Sequence, residues 1–147
     1  MSRTTSQTRH LAKRIIIFET NRRRAGKTAS PEKANDCHKL RPFIAALMGE
    51  AGFNTLFNRA RSLASAEEPW LRNVYLDGDG KVELPLSIDS RLSTAEFFEG
   101  RVVLLAQFIG LMVALIGEKL TLDLVHRTWP EVPLNNLGIT NEATNES

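Results

Sequence analysis

The fold is decided by residues 93–117, which read STAEFFEGRVVLLAQFIGLMVALIG. Ser93 and Glu96 have the spacing of a capping box, in which each side chain accepts a hydrogen bond from the backbone amide of the other residue. In the second half of the stretch, up to its closing glycine, only Gln107 and Gly110 interrupt the apolar residues. A helix that is apolar on every side must be surrounded by protein or by lipid. This stretch therefore predicts a long, central C-terminal helix.

The apolar part of this helix is short for a membrane span. Residues 102–117 would extend roughly 24 Å as a helix, against a hydrocarbon core of about 30 Å. A longer span would include Arg101 at one end, or Glu118 and Lys119 at the other, and these charges are unfavourable in lipid. The soluble interpretation is favoured. A single-span membrane-associated protein, anchored through residues 102–117, is the alternative.

Residues 40–66 predict two helices or one kinked helix. Apolar residues recur at helical spacing from Leu40, and a second series begins at Phe53. The two series do not lie on one continuous track of 3.6 residues per turn. Because glycine weakens a helix, we expect the change of direction near Gly52. Apolar residues dominate the last helix as far as Trp129, and Pro130 and Pro133 end it.

The remaining segments complete a mainly α fold of three or more helices. Two Asp-Gly steps at residues 77–80 predict a minor β-hairpin near residues 74–84, or an irregular loop. The helical domain is expected to cover residues 40–133. Residues 134–147 are polar and are predicted to form a disordered tail.

Charge is distributed unevenly along the chain, although the net charge is only +2. Residues 1–41 contain eleven Lys or Arg and three acidic residues. Residues 42–147 contain eight Lys or Arg and fourteen acidic residues. Because residues 1–39 are also rich in small polar residues, they predict a basic, poorly ordered arm. This arm could be a plain tail or a targeting segment.

Motifs for chemistry are incomplete in this sequence. Lys27 lies in a Gly-Lys-Thr triplet, but the first glycine of a phosphate-binding loop and its following helix are missing. The acidic residues at 77–80 lack the glycine and glutamate of a calcium loop. Cys37 and His38 are adjacent without further ligands at zinc-site spacing. We therefore predict no cofactor and no metal, and a non-catalytic protein is favoured over an enzyme, whose site could still assemble across the fold. The single cysteine suits a reducing, cytoplasmic location.

The leading hypothesis is a non-catalytic protein-interaction or self-assembly module, with a second copy or another protein as its partner. Two short helices need not cover the whole circumference of the long helix, and the remainder could be covered by residues 70–86 or by a second copy. Gly110 and Gly117 lie seven residues apart on nearly the same helix face, where close approach is possible, and Gln107 could form a polar contact between helices or between subunits. These three residues are the candidate assembly contacts.

The alternative is a nucleic-acid-binding protein. Residues 42–65 resemble a helix-turn-helix pair, and the neighbouring basic arm could add phosphate contacts. The net acidic character of residues 42–147 argues against this alternative. Its candidate anion contacts are Arg22, Arg23, Arg24, Lys27, Arg59 and Arg61.

Overall fold

The computed structural model describes residues 6–26, 37–76, 82–83 and 93–132 of the chain. These residues form four α-helices, two 3-10 helices and one two-stranded sheet. The α-helices are α1 (Ser6–Gly26), α2 (Arg41–Ala64), α3 (Thr94–Ile116) and α4 (Glu118–Thr128). The 3-10 helices are Cys37–Leu40 and Pro69–Asn73, and the strands are β1 (Tyr75–Leu76) and β2 (Val82–Glu83). The expected mainly α fold is confirmed.

The helix α3 lies at the centre of the fold, and its first turn is capped as the sequence predicts. The Ser93 hydroxyl accepts a hydrogen bond from the Glu96 amide at 3.0 Å, and the Glu96 carboxylate accepts one from the Ser93 amide at 2.9 Å. Every residue from 101 to 112 is buried. Both α1 and α2 pack against α3. The chain itself therefore surrounds the middle of its apolar helix.

The segment Ala95–Ile116 is long and apolar enough to cross a membrane, judged by length and composition alone. In the fold, 72% of its most apolar window is buried against other parts of the chain. The core helix of a soluble protein has the same properties, so this feature is weak evidence for a membrane span. Packing of α1 and α2 on α3 gives a sufficient physical reason for its apolar sequence.

The helix α1 corrects the expectation of a poorly ordered arm. Within it, one face is buried in the main hydrophobic core and consists of Leu11, Ala12, Ile15 and Ile16. The expectation is wrong for residues 6–26, because composition measures the average polarity of a segment. A helix needs only one apolar face to be held by tertiary packing. The packed helical domain thus includes α1 and does not begin at Leu40.

The helix α2 changes direction at Gly49, three residues before the position expected from the sequence. Gly49 has φ 81° and ψ 166°, a conformation that is almost restricted to glycine. Gly52 stays within the helix, where a Cβ atom would lie 2.5 Å from Cγ of Met48. A kinked helix is therefore confirmed, but the kink occurs at the other glycine. Both glycines weaken a helix, so residue type alone does not distinguish them.

The helix expected to continue to Trp129 is broken at Gly117, which has φ 91° and ψ 160°. The Thr121 hydroxyl donates a hydrogen bond to the Gly117 carbonyl at 2.7 Å and so ties the first turn of α4 to the break. The last helix ends at Thr128 and Trp129 is buried. Its predicted end before Pro130 is confirmed.

Replacing Gly117 with alanine is expected to lower the free energy of unfolding by about 1–3 kcal/mol, because the backbone conformation there is unfavourable for any side chain. A Cβ atom at this position would have no neighbour within 4 Å, so a steric clash would not contribute. Urea unfolding measures the loss. Lys119→Ala, at an exposed position of α4, is the control and should change stability by less than about 0.5 kcal/mol. Equal stability of both variants would contradict the break at Gly117.

The strands β1 and β2 form the small hairpin predicted near residues 74–84. They are antiparallel, with Tyr75 opposite Glu83. The Asp-Gly steps at residues 77–80, on which the prediction was based, lie outside the described residues. So does the polar tail predicted at residues 134–147.

Candidate functional site

An apolar groove with a volume of about 680 Å³ lies between α2 and the C-terminal end of α3. The lining residues from α2 follow helical spacing and are Met48, Ala51, Gly52, Thr55, Leu56 and Arg59. Those from α3 are Leu111, Ala114 and Leu115. We call this set of residues the α2–α3 groove. Its volume lies within the range of about 300–1,000 Å³ that is common for ligand pockets.

The groove is open because the cover over α3 stops at Met112. Leu115 is 62% exposed, the largest exposed fraction among the large hydrophobic residues that the structure describes. Both helices change direction beside the groove, since Met48 precedes the kink at Gly49 and Leu115 lies two residues before the break at Gly117. Each wall of the groove therefore contains a residue within two positions of a glycine that interrupts the helix.

The described lining of the groove is mainly apolar. It includes no carboxylate, imidazole or thiol, which are the groups that most often carry acid–base or nucleophilic chemistry. Arg59 is the one charged residue among the described lining residues, and Thr55 lies one helical turn before it. Both residues are exposed. The groove can therefore accept an apolar surface that carries an anionic group at its edge.

The candidate assembly contacts are not brought together on the surface. Gln107 and Gly110 lie in the fully buried part of α3, and Gln107 interacts with other groups inside the chain. Gly117 is exposed, but it forms the break between α3 and α4. In this fold a second copy could reach Gly117 but neither of the other two residues.

The candidate anion contacts are also dispersed. Arg22, Arg23 and Arg24 belong to the last part of α1, and Lys27 lies outside the described residues. Arg61 uses its Nη1 to donate a hydrogen bond to the Arg72 carbonyl at 3.0 Å. Of the two candidates whose side chains the structure describes, Arg59 lines the α2–α3 groove and Arg61 does not.

Glu19, Lys39 and Trp129 form a hydrogen-bonded cluster around a buried carboxylate, and none of them was a candidate site residue in the sequence analysis. Glu19 is 1% exposed, and its carboxylate accepts hydrogen bonds from Trp129 Nε1 at 2.7 Å and from Lys39 Nζ at 3.0 and 3.1 Å. The cluster joins α1, the first 3-10 helix and the residue that follows α4. Glu19 directly follows the apolar run at residues 15–18, and this position was the available sequence signal that its carboxylate could be buried. These contacts within the chain give the cluster a structural role.

Several glutamates surround the second 3-10 helix. Burial raises the pKa of Glu68, the Trp70 side chain opposes the shift, and the negative charges of Glu99, Glu67 and Glu96 add to it. Glu67 is paired with Arg9 at 2.8 Å. Within the part of the chain that the structure describes, no group of three or more His, Cys, Asp and Glu side chains could hold a metal ion. We assign no ligand to these glutamates.

No protein-family model, curated protein or solved structure matches this chain. Its function is therefore inferred from the geometry of the described residues. Among the described residues, the α2–α3 groove combines an apolar lining, a volume in the range of ligand pockets and an exposed large hydrophobic side chain.

Proposed function

We propose that the chain is a non-catalytic protein-interaction module, in which the α2–α3 groove binds an apolar face of a partner helix. The exposure of Leu115 is the observation that carries this proposal. Leu115 lies beside a groove with a mainly apolar lining, and full burial of a leucine side chain is worth about 1.5–3 kcal/mol. A partner that covers Leu115 would recover part of this free energy.

The shape of the groove supports a helix as the occupant. Its walls are two helices, and their lining residues recur every three or four positions. Side chains of a third helix can pack between such rows. Amphipathic helices bind grooves in this way through apolar residues at positions i, i+3 or i+4, and i+7.

Leu115→Lys is expected to weaken binding of an amphipathic helix at least tenfold, because it removes an apolar contact and places a charge beside the apolar face. The probe is an 18-residue helical peptide with one leucine stripe, titrated into isotope-labelled full-length protein. Binding of this peptide should shift the amide resonances of Thr55, Leu111 and Leu115. The dissociation constant is obtained from the same titration.

Ile17→Lys is the matched control, since Ile17 is also a partly exposed hydrophobic residue but lies on α1, outside the groove. It should leave peptide binding unchanged. Thermal unfolding of both variants checks that they remain folded. Shifts confined to other surfaces, or equal affinities of the two variants, would argue against the groove as the binding site.

Light scattering on the protein alone distinguishes a partner helix from a second copy. A monomer, with peptide binding at the groove, agrees with the proposal. A dimer that dissociates in Leu115→Lys and persists in Ile17→Lys would identify a second copy as the occupant and make the chain a self-assembly module.

A further inference from the structure

We infer that the partner helix carries a carboxylate at one end of its apolar stripe and that this carboxylate pairs with Arg59. The inference rests on the proposed function, because it specifies the chemistry of the helix that the α2–α3 groove binds. It commits the occupant to an amphipathic, locally acidic helix of another protein.

The first argument is that Arg59 makes no ion pair within the described part of the chain, although other exposed or partly exposed arginines do. Arg9 is paired with Glu67, Arg41 with Glu50 and Arg127 with Asp123. Arg59 is exposed and lines a groove whose other described lining residues are uncharged. A carboxylate on the partner would supply the missing opposite charge.

The second argument concerns the position of Arg59 along the groove. Ala51 and Arg59 are eight residues apart, or about 12 Å along the helix, and the lining between them is mostly apolar. Thr55 lies one turn before Arg59 on the same helix face, so its hydroxyl is available as a second donor. A carboxylate can bind the forked guanidinium through two hydrogen bonds. The acidic residue is therefore expected at the Arg59 end of a stripe about two turns long.

The test uses two 18-residue helical peptides with the same leucine stripe, one with glutamate and one with lysine at the end of the stripe. Their affinities for full-length protein are measured by calorimetry at low and high salt. Wild-type protein should bind the glutamate peptide about fivefold more tightly, the effect of one exposed ion pair. In Arg59→Glu the preference should reverse, and it should shrink at high salt.

Lys13→Glu is the matched control, because it makes the same change in charge at an exposed position on α1. It should keep the preference for the glutamate peptide. Equal binding of both peptides to wild-type protein, or a reversal in Lys13→Glu as well, would overturn the pairing with Arg59 but leave the groove as a helix-binding site. If neither peptide binds, both the inference and the proposed function are wrong. A dimer that depends on Leu115 would also overturn the inference, since the occupant would be a second copy.

Discussion

Replacing Ile16 with alanine is expected to lower the free energy of unfolding by about 2–5 kcal/mol. Ile16 is fully buried on α1 and belongs to the main hydrophobic core. Alanine would remove three methyl or methylene groups and leave a cavity that the packed neighbours fill only in part. Urea unfolding, followed by the circular dichroism of the helices, measures this loss.

Ile17→Ala is the control for this experiment. The two isoleucines are adjacent on α1, but Ile17 is 42% exposed, so its truncation should cost about 1 kcal/mol or less. A large effect at Ile16 with a small effect at Ile17 would establish that α1 packs through the observed face. If neither substitution changes stability, residues 6–26 are a solvated arm, and the described packing of α1 on α3 is wrong.

Replacing Glu19 with alanine is expected to cost about 3 kcal/mol of unfolding free energy. The substitution leaves the indole N–H of Trp129 buried without its acceptor and removes the partner of Lys39. It also releases the link between α1 and the residue that follows α4. The loss is measured by urea unfolding, and the fluorescence of Trp129 should report the local change.

Glu67→Ala provides a comparison with the same change of side chain. Glu67 pairs with Arg9 at the surface, and exposed ion pairs contribute about 0–1 kcal/mol. Its truncation should therefore have a small effect that decreases further at high salt. Glu19→Gln keeps an acceptor for Trp129 and should lose less stability than Glu19→Ala. Equal, small effects at Glu19 and Glu67 would contradict the buried cluster.

The central helix and its start could be predicted because the rules that govern them are local. Ser93 and Glu96 form their capping box within one turn, and an apolar stretch longer than four turns requires burial whatever surrounds it. The sequence also indicated that two short helices need not cover α3 completely. It did not indicate that the missing cover is α1, because that depends on one apolar face in an otherwise basic segment.

The candidate site could be predicted only in part. Arg59 was singled out as an anion contact, but its place in an apolar groove depends on how α2 crosses α3. Gln107 and Gly110 were candidate contacts between helices or subunits, and both lie inside this fold, because α1 and α2 together cover the middle of α3. Leu115 was not singled out, since nothing in an apolar stretch indicates which residue remains uncovered.

The sequence by itself determined the mainly α class, the capped central helix and the end of the helical region before Pro130. Local propensity and apolar periodicity are sufficient for these features, because they depend on residues within a few turns of one another. The tertiary structure alone decided the packing of α1, the choice of Gly49 for the kink and the exposure of Leu115. These depend on which surfaces meet across the chain, and the spacing of residues within one segment does not show which other segment covers it.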